Sequence, residues 1–154
     1  MVGLLPEPAR RSVVGTVSVP PLEDWPHIRD RVLEVAREDQ RRRQAQLREA
    51  LLGNSGPGGS VLDLESTLQA LARHQVLTVA ADRDLQVGVW ACIACPFATS
   101  RPADRCPTCG QPARELDVTQ VLPLLARSNR APLVLLSDGT LRRHGGVGAL
   151  LRFS

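Results

Sequence analysis

The chain has 154 residues, 43% of them hydrophobic and 23% charged, with 12 glycines and 12 prolines, which suits one globular domain with a small appendage and a buried core. Aromatics are 3% and tyrosine is absent, so the core is expected to be aliphatic, and the composition argues against a base-stacking platform for single-stranded nucleic acid. All 19 basic residues are arginine, against 16 acids; lysine-dependent chemistry is therefore excluded, and a net charge of +3 is weak for a nucleic-acid binder.

The opening Met1–Leu5 meets Pro6 and Glu7 before an apolar stretch of useful length forms, and no segment approaches the ~20 apolar residues of a membrane span. The expectation is a soluble, cytoplasmic protein with no membrane or DNA partner. Residues 12–19 alternate β-branched side chains and predict a short strand, stopped by Pro20 and Pro21. Asp24 predicts a helix N-cap with Pro26 in the first turn, and Gly53 predicts the C-terminal stop. The helix between them carries Ile28, Val32, Val35 and Ala36, then Leu47, Ala50 and Leu51, at helical spacing. Its middle, Arg37 to Gln46, is polar nearly all round, with Glu38–Arg42 and Asp39–Arg43 as i,i+4 pairs. At 1.5 Å per residue it runs about 40 Å, so its centre is expected to be solvated and to bridge two bodies.

Asn54–Ser60 reads as a flexible loop. Leu64, Leu68, Leu71 and Ala72 predict an amphipathic helix over 62–73, with His74 at its carbonyl end. Val76–Ala80 predicts a strand buried on both faces. Asp117 or Thr119 caps a further helix with Val121, Leu122, Leu125 and Ala126, where Pro123 belongs in the first turn or at a kink. Leu133–Leu136 and Ala149–Phe153 complete the strands. The order predicts an α/β layered sandwich, a small mixed sheet with flanking helices.

All four cysteines fall in one window, as Cys92-x2-Cys95 and Cys106-x2-Cys109 separated by ten residues. Each Cys-x-x-Cys turn aims two thiolates at one point, and two such turns make a tetrahedral all-sulfur shell, so the pattern predicts one Zn2+ in a zinc ribbon. With no spare cysteine and no nearby histidine the shell is closed, which makes the zinc structural and not catalytic. Two disulfides or a redox-active dithiol are the alternatives; the absence of a visible secretory signal and the paired spacing favour metal. The histidines His27, His74 and His144 are scattered, no nucleophile stands at credible spacing, and an enzyme is not expected.

Three segments resemble the C-terminal domain of archaeal and eukaryotic class-one peptide chain release factors and Pelota. Val61–Leu71 followed by Val76–Val79 looks like the domain's opening helix and strand. The cysteines sit where archaeal members carry a zinc-ribbon minidomain, here 91–114. The ending Gly145-Gly146-Val147-Gly148-Ala149-Leu150-Leu151-Arg152-Phe153 is similar to the family's terminal motif, usually written GGIGAILRY, with Phe153 in place of tyrosine. The resemblance covers residues 23–154 as the C-terminal domain. It makes 1–22 a one-strand remnant of the preceding middle domain, and it points to the family's bacterial, Balon-like branch.

The resemblance implies a ribosome-associated binding module, in a context of termination, rescue or hibernation, that docks to a translational GTPase and to the rRNA and stalk base of the ribosome. The family's Gly-Gly-Gln loop, which hydrolyses peptidyl-tRNA, has no counterpart here, so hydrolysis is not expected of this chain. Gly148, Leu150, Arg152 and Phe153 fall in the segment implicated in GTPase contact, with an ordinary core strand as the other reading of Leu150 and Leu151. Arg142 and Arg143, with Arg101 and Arg105, are candidates for phosphate contacts, or else a solvated basic face. The alternative function is a zinc-ribbon protein–protein adaptor that does not visit the ribosome.

Overall fold

The computed structural model describes residues 5–54 and 58–153. The chain divides into two compact units between Gln46 and Leu47. Among the described residues no helix is long and apolar enough to cross a membrane.

The first unit holds a single turn, α1 (Glu7–Arg10), an extended segment, and α2 (Trp25–Leu52) as far as Gln46. The strand expected over 12–19 does not form. A strand needs a partner for its backbone groups, and this segment pairs with none of the described residues. It lies against α2 instead, so closely at Gly15 that a β-carbon there would stand 2.4 Å from Val35 Cγ1. Val13, Val14 and Val19 stay exposed. Along α2 the polar middle is laced as charge patterning implies, with one exchange of partner. Asp39 binds both Arg43 (2.6 Å) and Arg42 (2.5 Å), which leaves Glu38 to Arg41 (3.7 Å). The left-handed residue that ends α2 is Asn54 (φ 52°), not Gly53. Asn54 takes the position because its side-chain oxygen accepts the Ser60 N–H at 2.6 Å, closing the loop. Residues 55–57 of that predicted loop lie outside the described residues.

In the second unit, β1 (Ser60–Val61), β7 (Val147–Leu151), β2 (Val76–Asp82) and β6 (Leu133–Leu136) form one sheet in that order. β7 runs antiparallel to both β1 and β2, while β2 and β6 are parallel. Helix α3 (Leu64–Ala72) is capped by Asp63, whose carboxylate accepts the Ser66 N–H at 2.8 Å. Helix α4 (Val118–Ser128) is capped by Asp117 on the Thr119 N–H at 2.8 Å and holds Pro123 in its second turn, so of the two places expected for this proline, the first turn or a kink, it does not take the first.

Both faces of the sheet are covered. On one, Val76, Val79, Val147 and Ala149 pack with Leu68 and Leu71 of α3 and Val121, Leu122 and Leu125 of α4. On the other, Ala80, Leu136 and Leu150 pack with Leu51 from the last turn of α2 and Leu141. Two-sided burial is why β2 reads as a continuous apolar run. It also explains Gly148: a β-carbon there would stand 3.0 Å from the Val61 carbonyl oxygen of the neighbouring strand. The terminal strand ends at Leu151, two residues before the expected Phe153.

A second, antiparallel sheet, order β4-β3-β5, is inserted between β2 and α4 and carries the cysteines. Its strands are β3 (Gly88–Cys92), β4 (Ala98–Thr99) and β5 (Ala113–Asp117). Val89, Ala91 and Ala98 belong to the same core cluster as α3 and α4, so the base of the ribbon is part of the domain's core.

Candidate metal centre and basic surface

Cys92 ends β3, Cys95 follows in the first turn, and Cys106 and Cys109 flank the second turn before β5. The four Sγ atoms all lie within 4.8 Å of one another. Across the two turns Cys92 and Cys109 are 3.4 Å apart, and Cys95 and Cys106 are 3.6 Å apart. Four sulfurs bound at 2.3 Å around one tetrahedral cation have edges of about 3.8 Å, so small shifts of the side chains would close these four around a single soft metal ion. Backbone amides already point at the sulfurs, Ala94 N–H at Cys92 (3.3 Å) and Thr108 N–H at Cys106 (3.4 Å). Such N–H···S bonds fix the turns and offset thiolate charge.

The same contacts set the proton affinities. Cys92 lies below the ordinary thiol range, chiefly through the Ala94 N–H. Burial alone would raise Cys106, but N–H bonds from Cys109 and Thr108 outweigh it and bring the thiol to about 6. Burial, reinforced by the bond with Cys106, pushes Cys95 up to about 12. At Cys109 the Gln111 N–H pulls downward, but the bond with Cys92 and burial together raise it. In each close pair one thiol is pulled below its ordinary value and its partner is pushed above it, as expected of neighbouring like charges without a cation between them.

A clamp not legible in the sequence ties this ribbon to the domain. The Glu65 carboxylate on α3 accepts the Ser100 N–H (2.8 Å), the Ser100 hydroxyl (2.7 Å) and the Thr99 hydroxyl (3.1 Å). Burial alone would raise Glu65, yet these bonds hold it below its ordinary value. A depressed carboxyl stabilises the fold above its unfolded pKa and loses that contribution as pH falls through the folded one. We expect wild type to exceed Glu65→Gln in urea midpoint at pH 7, by roughly 1–2 kcal/mol for the weakened charge-assisted hydrogen bonds, and the gap to narrow as pH falls below 4. A gap unchanged with pH would refute the clamp.

The basic candidates separate by environment. Arg142 and Arg143 stand exposed on a 3-10 turn (Arg142–His144). It is followed by Gly145 and Gly146, both with positive φ (80° and 78°), where a side chain would be strained. Arg101 and Arg105 are exposed on the ribbon, Arg105 donating to the Gly110 carbonyl at 3.2 Å. Gly148 and Leu150 are buried within the sheet, whereas Phe153 is 57% exposed. The guanidinium of Arg152 donates to the Asn129 carbonyl oxygen at 2.5 Å, and the Asn129 side chain in turn donates to Leu71 O and Leu125 O. Arg152 thus has an internal partner that links the chain's end to the C-termini of α3 and α4. His27 is bonded to Asp24, and His74 and His144 are exposed.

No family model matches the sequence, and no curated protein matches it. Among solved structures, the chain resembles the C-terminal domain of a peptide chain release factor from Methanosarcina mazei, with a TM-score of 0.53 and 19% identity over 86% of this chain and 98% of that one. The mixed α/β architecture with flanking helices expected above is the one observed, and it is the fold of that domain.

Proposed function

We propose that this chain is a ribosome-docking module of a translation factor related to release factors and Pelota, without catalytic activity of its own, whose ribbon holds one structural Zn2+. The observation that carries the reading is the likeness of fold to a release-factor C-terminal domain across nearly all of that domain's length. The terminal Gly145–Phe153 segment and the four-cysteine centre support it independently. Sulfur donors, tetrahedral spacing and a cluster of four cysteines with no histidine or carboxylate in it suit zinc, which would fix the ribbon and present no open position to substrate.

On this reading, Arg142 and Arg143 with Arg101 and Arg105 meet rRNA phosphates, and the exposed Phe153 end faces a translational GTPase. The same proposal includes the bacterial branch and a role in termination, rescue or hibernation. Gly148 and Leu150 shape the terminal strand from within and do not touch the partner.

The test is co-sedimentation of the zinc-loaded chain with ribosomes at two salt concentrations, with and without an elongation-factor-type GTPase and a GTP analogue. Expected is pelleting that falls as salt rises. Arg142→Glu with Arg143→Glu should weaken it and reduce the logarithmic salt slope by about two, one for each phosphate no longer neutralised. A chain that stays in the supernatant throughout overturns the ribosomal reading and leaves the adaptor function.

A further inference from the structure

We propose that the four-cysteine centre is a hydroperoxide-reactive site that oxidises by pairs across its two turns, Cys92 with Cys109 first and Cys95 with Cys106 second, and not within either Cys-x-x-Cys. It rests on the zinc reading only in that the reduced, metal-filled ribbon is the starting state.

Two independent observations order the chemistry. The sulfur pairs in direct hydrogen-bonding contact are the cross-turn ones, at 3.4 and 3.6 Å, and they must shorten by about 1.4 and 1.6 Å to reach a disulfide bond length. Exposure then separates the pairs. Cys109 is exposed and Cys92 half-exposed, while Cys106 is 2% exposed and is the partner of Cys95. A small oxidant from solvent meets Cys109 first.

The electron count is complete with a hydroperoxide as oxidant. Cys109, a thiolate as a ligand in the metal-filled starting state, attacks the peroxide; the O–O bond breaks, one oxygen leaves as hydroxide and is protonated to water, and a sulfenic acid remains. The Cys92 thiolate attacks that sulfur, the S–O bond breaks, and the oxygen leaves as a second water after taking a proton. Two thiolates, one hydrogen peroxide and two protons become one disulfide and two waters. Two of four ligands are then gone, and the metal is released. A cross-turn bond keeps the end of β3 tied to the second turn, so the hairpin survives and a dithiol can restore it.

The arginine pattern makes the test direct. Trypsin cuts after Arg83, Arg105 and Arg114 and is blocked at Arg101 by Pro102, so peptide 84–105 carries Cys92 and Cys95 while peptide 106–114 carries Cys106 and Cys109. The purified full chain is assayed for zinc, treated with one equivalent of hydrogen peroxide, alkylated with N-ethylmaleimide, digested and sequenced by mass spectrometry. Expected is a covalent link between the two peptides, with label on Cys95 and Cys106. Zinc release should follow from one per chain toward none, and dithiothreitol should reverse the link. Two separate peptides with internal disulfides, a link through other cysteines, or sulfinic acid without any disulfide would each overturn the proposal. A chain isolated without zinc overturns the metal reading alone, because the disulfide map of the chelator-treated thiol form still decides the pairing.

Discussion

Cys106→Ser should abolish stoichiometric zinc binding and unfold the ribbon tip, residues 93–97 and 101–112, while the four-stranded sheet and its helices stay folded. Cys106 is the buried member of the cluster, 2% exposed, with two backbone amides lowering its proton affinity. It is thus the sulfur most fully prepared to be a thiolate before a metal arrives. A serine hydroxyl stays protonated at neutral pH and is a poor ligand for a soft cation. Structural zinc contributes apparent binding energies of about 10–16 kcal/mol to small sulfur-ligated domains, and that energy is folding energy. The tip has little else to hold it. Its bonds include short backbone ones such as Cys106 N–H to Gln111 O at 2.8 Å and Ala113 N–H to Asp104 O at 3.0 Å, and the exposed Arg105 bond to the Gly110 carbonyl at 3.2 Å.

The damage should stop at the tip. Val89, Ala91 and Ala98 pack into the main core, and Glu65 holds Thr99 and Ser100 from α3. Metal analysis together with amide NMR checks this. Signals from 93–97 and 101–112 should collapse toward random-coil shifts while those from 98–100, 76–82 and 147–151 keep their positions. Collapse of both sets would mean that the metal holds the entire domain; retention of zinc at one per chain would mean that Cys106 is not a ligand.

The cysteine centre is legible in the sequence because its chemistry is local. Two short turns place four sulfurs, and spacing alone determines that they converge. The amphipathic helix α3, the buried run of β2 and the Asp117 cap are legible for the same reason, since period and capping act within a few residues. What the sequence does not show depends on partners far along the chain. Residues 12–19 carry the β-branched alternation of a strand, but a strand exists only where another edge accepts it, and the segment settles on α2 at Gly15 and Val35. β5, Ala113–Asp117, is the opposite case: its polar sequence carries no strand signal, yet β3 pairs with it over five residues. Glu65 reads as an ordinary first-turn acid until Thr99 and Ser100, 34 and 35 positions away, arrive beside it. Arg152 suggests an outside partner because a held arginine needs one, and the fold supplies that partner internally in Asn129.

The largest effect on the domain as a whole is expected at Leu71. Leu71→Ala should lower the stability of the second unit by about 2–5 kcal/mol, a large part of the roughly 5–15 kcal/mol available to a domain of ordinary stability. Leu71 is 0% exposed, and its cluster joins the sheet to α3, α4 and the ribbon base at once. Truncation removes its transfer free energy and leaves a cavity whose walls cannot collapse freely. The backbone beside it is pinned, as the Leu71 carbonyl accepts both the Asn129 side-chain N–H at 2.8 Å and the His74 N–H at 3.1 Å. His74 itself sits in the left-handed region (φ 56°), so the chain leaving α3 has little freedom to move into the void. Leu77 on the adjoining strand is the control. It is 37% exposed at the register shift between Val76 and Thr78, and Leu77→Ala should cost under about 1 kcal/mol. Because the ribbon base shares the core with Leu71, the Ala variant should also release zinc at a lower urea concentration than wild type, in step with loss of helical circular dichroism. Zinc retained well beyond that transition would show that the ribbon folds independently of the sheet, and would confine the role of Leu71 to the sheet and its two helices.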